Sequence, residues 1–84
     1  MAIKVIRSTE ARADVRAIDR ETALGLLKTL ARFLQTETGN VKQLRGFDTP
    51  QYRLRIGDWR VLFRRGGPDA IEIVRVRNRR EAYR

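Results

Sequence analysis

Five arginines fall within the fifteen residues QYRLRIGDWRVLFRR, Gln51 to Arg65. Arginine stays ionised at any working pH and offers a planar fork of donors that matches two oxygens of one phosphate. The chemistry open to such a cluster is electrostatic: gripping a phosphodiester and stabilising charge that develops on it. A second cluster lies near the end of the chain, where Arg75, Arg77, Arg79 and Arg80 are followed by Tyr83. Arginines interleaved with an aromatic ring suit single-stranded nucleic acid, whose phosphates pair with guanidinium groups while its bases stack. The sequence has no histidine, no cysteine, no Gly-rich phosphate loop and no carboxylate cluster with metal-ligand spacing. Any reaction must therefore run on Arg, Lys, Tyr and isolated carboxylates.

Charge points the same way. The 84 residues carry 19 Lys and Arg against 10 Asp and Glu, a net charge of +9, and such a surface attracts polyanions. Nucleic acid, an acidic protein and an anionic membrane all meet that description. The excess is uneven: residues 1–44 hold 8 basic and 5 acidic side chains, whereas residues 45–84 hold 11 and 5, and all eleven are arginine. Charge needed only for solubility could equally be lysine, so the bias favours phosphate. An arginine-rich genome would produce the same bias without function.

These side chains need elements to position them. At 42% hydrophobic residues the chain has the composition of one globular domain, residues 1–84, with a modest core and no disulfides. The start, MAIKVIRSTE, lacks the apolar run of a signal peptide, and no segment approaches a membrane span, so the expected compartment is the cytoplasm, without membrane association. Residues 2–7 alternate as a short strand. Ser8 and Thr9 offer an N-cap for a short helix carrying Ala11, Val15 and Ile18, and Asp19 caps a longer one. In that second helix Ala23, Leu26, Leu27, Leu30, Phe33 and Leu34 form an apolar stripe that reads as a core face, closed by Gly39 and Asn40. Residues 41–50 read as a connection anchored by Leu44 and Phe47.

The hairpin can be registered from sequence. Gly57 and Asp58 form a two-residue loop with glycine first, which suits a type II′ turn and pairs Ile56 with Trp59, Arg55 with Arg60, Leu54 with Val61 and Arg53 with Leu62. Tyr52, Leu54, Ile56, Trp59, Val61 and Phe63 then share one face, and Arg53, Arg55, Arg60 and Arg64 share the other with Leu62. Residues 66–69 read as a turn into a last strand over 70–77. That strand has no clean buried face: either both faces are partly covered or a bulge near Val74 shifts the alternation. The expected fold is α+β, with an N-terminal strand, a helical hairpin and a three-stranded antiparallel segment, the helices on one sheet face. Like charges opposed across strands cost about 0.2–1 kcal/mol per pair. An anion between them reverses the sign, and a solvated face with splayed side chains is the alternative.

KQLRG at 42–46, YRLRIGDWRVLFR at 52–64 and VRVRNRREAY at 74–83, in that order, resemble the RelE/ParE superfamily of bacterial toxins, with the tail more similar to the RelE branch. The resemblance implies a ribosome-dependent mRNA endonuclease acting in the A site by 2′-hydroxyl attack, without metal or cofactor, and held by a cognate antitoxin protein. It assigns catalytic roles to five residues. Arg53 and Arg55 act electrostatically, since arginine is too weak an acid to serve as general base. Arg60 stabilises the transition state, Arg79 assists the leaving 5′-oxygen, and Tyr83 stacks on a base or orients the nucleophile. Lys42, Arg45, Arg64, Arg77 and Arg80 complete the expected nucleic-acid contacts. Where some relatives carry a tail histidine, this chain has Asn78. Two other readings share these residues: a ParE-like inhibitor of DNA gyrase, and a small RNA- or DNA-binding domain whose arginines only bind.

Overall fold

The computed structural model of the chain describes residues 4–36 and 40–78. Strand β1 (Lys4–Arg7) leads into helix α1 (Thr9–Arg16) through Ser8, whose backbone stays extended while its Oγ accepts a hydrogen bond from the Ala11 N–H at 3.0 Å. Helix α2 (Arg20–Thr36) starts in the same way, the Asp19 carboxylate accepting from the Thr22 N–H at 3.0 Å. Both caps answer orphan amides at the helix starts. Helix α2 buries Ala23, Leu26 and Leu30 and packs Leu27, Phe33 and Leu34 at the margin of the core. Its described residues run to Thr36. Gly39 lies outside the described residues, and Asn40 opens a strand instead of closing a helix.

That strand, β2 (Asn40–Leu44), corrects the reading of residues 41–50 as a connection, since it pairs antiparallel with β3 (Gln51–Ile56) and only residues 45–50 bridge the two. Its periodicity is faint because it is an edge strand with little to bury: Val41, Lys42 and Gln43 are all exposed. Phe47, expected to anchor the segment, is 50% exposed. Strands β4 (Trp59–Gly67) and β5 (Ala70–Asn78) complete a five-stranded sheet in the order β1-β5-β4-β3-β2. Strand β1 runs parallel to β5, and every other pair is antiparallel. Gly66 and Gly67 belong to β4, so the turn expected at 66–69 shrinks to Pro68 and Asp69. The β3–β4 register matches the pairing read from the sequence at all four positions, with Gly57 at φ 59° in the loop.

Both helices cover one sheet face. Leu30, Leu54, Ile73 and Val61 are each at most 2% exposed, and Phe63 stacks on Tyr52 and meets Phe33 edge-on at 6.0 Å between centroids. The ambiguity of the last strand resolves as a bulge. Phe63 stands opposite Ile73 and Leu62 opposite Arg75, so Val74 is an extra residue. Ile71 and Ile73 face the helices before it and Val76 after it. Ser8 locks this kink to the helix start, because its hydroxyl also donates to the Val74 carbonyl at 2.8 Å while its N–H donates to the Ile73 carbonyl at 3.0 Å. Ser8→Ala removes the cap and leaves the Val74 carbonyl without this donor. Loss of the cap costs about 1–2 kcal/mol, and the lost second bond adds to it. Urea unfolding should show this as a lower midpoint at unchanged slope.

Candidate nucleic-acid interface

The face without helices is built from three rows of side chains set by register, since residues opposite one another across a ladder share a face. Arg55, Arg60 and Arg77 form one row across β3, β4 and β5. Lys42, Arg53, Leu62 and Arg75 form the next across β2 to β5. Leu44, Gln51, Arg64 and Glu72 form the third. The first two rows contain no carboxylate. The third does, and Glu72 accepts from Arg64 at 2.6 Å. Positive charge is therefore partly cancelled at the Arg64 end and concentrated toward Arg53, Arg55, Arg60 and Arg77.

Of the residues singled out from sequence, Arg53, Arg55, Arg60, Arg77 and Lys42 come together on this face, whereas Arg64 sits at its neutralised end. Arg45 is exposed in the β2–β3 connection, outside the rows. Arg79, Arg80 and Tyr83 lie outside the described residues. The bulge gives Arg77 its place, because a strand without the extra residue would turn Arg75 and Arg77 toward the helices. The Nε of Arg77 is enclosed and has no hydrogen-bond partner among the described residues. An enclosed donor left unmatched costs about 1–3 kcal/mol, and more when charged.

Asp14 on α1 is a residue that sequence reasoning missed. Its carboxylate accepts from Arg75 Nε at 2.8 Å and Nη2 at 3.1 Å, and from the Val76 N–H at 2.9 Å. Strand β1 has ended by this point, so Asp14 supplies the acceptor that a longer β1 would have given the β5 edge. It also draws one arginine of the second row toward α1. No local signal announces this pair, because its members are 61 residues apart. Burial raises the Asp14 pKa, but hydrogen bonds from Arg75 and Val76 and the charges of Arg75 and Arg77 outweigh it and hold the group below its ordinary 3.8.

The sequence pattern of the ParE toxin of the type II toxin–antitoxin system, parDE, matches residues 5–83. The chain belongs to this toxin family. Its fold is that of solved RelE toxins. The RelBE2 toxin–antitoxin complex from Mycobacterium tuberculosis is 24% identical at a TM-score of 0.72, over 94% of this chain and 100% of that one. The archaeal RelE–RelB complex from Pyrococcus horikoshii is 21% identical at 0.71, over 94% and 97%. A variant of the E. coli toxin RelE in the free state is 19% identical at 0.72, over 98% and 87%. No similar sequence is found among curated proteins. The protein is thus a RelE/ParE superfamily toxin of a toxin–antitoxin system.

Asp14 sets a pH dependence in this toxin. A carboxyl whose folded-state pKa is depressed contributes stability that is present above its unfolded value and lost as pH falls through the folded one. Asp14→Asn should destabilise the protein by about 1.5–3 kcal/mol at pH 7, the range for hydrogen bonds to a charged group. Melting temperatures of the two proteins should converge below the ordinary carboxyl value of 3.8. A gap that persists unchanged into strong acid would mean that packing, not charge, accounts for the loss.

Proposed function

We propose that this toxin cleaves messenger RNA in the ribosomal A site, working in the cytoplasm under the control of an antitoxin. The observation that carries the reading is the Arg55–Arg60–Arg77 row, beside Arg53 and Lys42, on a helix-free face whose first two rows hold no carboxylate. A phosphodiester laid across it meets guanidinium forks from three adjacent strands. The 2′-hydroxyl releases its proton to water as its oxygen bonds to phosphorus, and the 5′-oxygen takes up a proton as its bond to phosphorus breaks, leaving a 2′,3′-cyclic phosphate and a 5′-hydroxyl. Arg60, central in its row, stabilises the extra negative charge of the five-coordinate phosphorus. Arg53 and Arg55 favour the alkoxide form of the nucleophile, and in this reading Arg79 and Tyr83 serve the leaving oxygen and the flanking base. The unmatched Nε of Arg77 supports a role other than stability for that side chain. RelE stands in complex with RelB in the Pyrococcus horikoshii and Mycobacterium tuberculosis structures, which supports an antitoxin partner here.

The match to the ParE family pattern favours a second reading, inhibition of DNA gyrase, in which the same arginines bind without cutting. Expression in cells followed by primer extension separates the two. Cuts within translated messages that vanish without ribosomes are expected. Intact messages with accumulated cleaved gyrase complexes would replace the first reading by the second. Arg60→Lys tests the mechanism, since it keeps the charge and loses the fork. It should slow cleavage by roughly a hundredfold while antitoxin binding and melting temperature stay at the parent values. Parental cleavage rates in that variant would reduce Arg60 to a contributor to the general field.

A further inference from the structure

Glu72 places a carboxylate on the helix-free face, against an arginine expected from the sequence to contact nucleic acid. Arg64 of β4 lies directly opposite Glu72 of β5, two rows along from Arg60. A strand rises about 3.3–3.4 Å per residue, so Arg64 stands about 13 Å along β4 from Arg60. One oxygen of Glu72, Oε1, accepts from both Nε and Nη2 of Arg64 at 2.6 Å. These two nitrogens form the side-on fork of the guanidinium, one of the donor pairs that grip two oxygens of a phosphate. A phosphate can still approach Nη1 and Nη2 from the end, but there it comes close to the carboxylate. Stability gives the pair little reason to exist: the Arg64 side chain is 42% exposed and that of Glu72 25%, and water screens an ion pair in such surroundings. Its main effect is on the field over the sheet.

We propose that Glu72 is a specificity-determining residue that ends the RNA track at the third row. It fills one fork of Arg64 and repels the phosphate that Arg64 would otherwise hold, which confines the message to the first two rows. This role rests on the reading of those rows as the RNA site. Two like unit charges about 4 Å apart in water repel enough to cost about fivefold in affinity, so the boundary is soft and still sufficient to choose a register. Strand β5 carries both ends of the gradient, Arg77 in the first row and Glu72 in the third. An RNA strand that slides toward the third row meets rising repulsion, and one that slides back regains the row of Arg55, Arg60 and Arg77. The phosphate to be cut is thereby held over Arg60 and not over Arg64. Arg64 is a latent contact, able to take a phosphate only when position 72 is neutral.

The test is binding, not cleavage. Fluorescence anisotropy with single-stranded RNA across a salt series compares the full-length parent with Glu72→Gln, Arg64→Ala and Arg64→Ala/Glu72→Gln. Glu72→Gln keeps the size of the side chain and removes its charge. It should bind about fivefold tighter and steepen the plot of log affinity against log salt by about 0.7, the increment for one added phosphate contact on a single strand. In a series of RNA lengths it should go on gaining affinity beyond the length at which the parent levels off. Arg64→Ala and the double variant should both keep the parent's slope, because the added contact needs Arg64 present and position 72 neutral. A parental slope in Glu72→Gln overturns the boundary, and with a lowered melting temperature it makes the pair structural. A gain that survives in the double variant also overturns it, as the mark of a general field effect. Arg53→Ala/Arg55→Ala separates this inference from the reading beneath it. If that variant binds RNA as the parent does, the rows are not the RNA site and both fall; if it binds weakly while Glu72→Gln keeps the parent's slope, the boundary falls alone. A protein that shows every expected binding effect yet cuts no message keeps the boundary and loses only the cleavage reading.

Discussion

Strand β5 has to be apolar toward the helices at positions 71, 73 and 76 and basic toward solvent at 75 and 77, which a regular two-residue alternation cannot deliver. One extra residue, Val74, reconciles the two demands. Without it Arg75 and Arg77 would follow Ile71 and Ile73 under the helices, and an ion moved into such an interior costs several kcal/mol. The bulge is held where two ends of the chain meet. Ser8 bonds the Val74 and Ile73 carbonyls from the start of α1, and Asp14 takes the Val76 amide and the Arg75 guanidinium two turns later. The first helix can be short because two turns are enough to carry these contacts past the end of β1 and complete the edge of β5.

The distribution of charge follows from that junction. Asp14 pulls Arg75 toward α1, and Glu72 pairs with Arg64, so the two carboxylates offset charge in the second and third rows and leave the Arg55–Arg60–Arg77 row the most positive. The potential is sharpened by subtraction. An anion approaching the sheet meets its strongest attraction where Arg55, Arg60 and Arg77 line up across three strands, which is also where a bent or shifted β5 would break the row. Geometry and electrostatics therefore share one support, and losing the Val76–Asp14 bond would disturb both.

Local chemistry was legible in the sequence and long-range chemistry was not. The Gly57–Asp58 turn agrees with two alternating strands, so the β3–β4 register could be written down residue by residue, and Ser8 and Asp19 cap the helices their positions imply. Strand β2 went unread because an edge strand with Lys42 and Gln43 exposed lacks the alternation that burial enforces. The last strand announced an irregularity and left two explanations standing, since deciding between them required knowing that β1 and α1 pack on its far edge. Asp14 looked like any acidic residue of a surface helix. Its partners, Arg75 and Val76, become its neighbours only when the parallel β1–β5 pairing brings the start of the chain against its end. The candidate site divides in the same way: the shared face of Arg53, Arg55 and Arg60 follows from the hairpin register alone, whereas the position of Arg77 depends on the bulge.

The layered construction separates what holds the sheet in place from what the sheet presents to solvent. The apolar core, from Leu26 and Leu30 on α2 to Leu54, Val61, Phe63, Ile71 and Ile73 beneath them, lies on one side. The other side contributes charge and little burial: Leu62 is only half-buried there. Substitutions on that face change its charge without opening a cavity, and so cost little stability. Fold and chemistry are physically decoupled across the thickness of a single sheet. What ties them together again is β5, the strand whose side chains change roles partway along its length. In this toxin the conversion of a buried strand into a row of arginines takes one residue, Val74, and a serine and an aspartate from the other end of the chain to hold it.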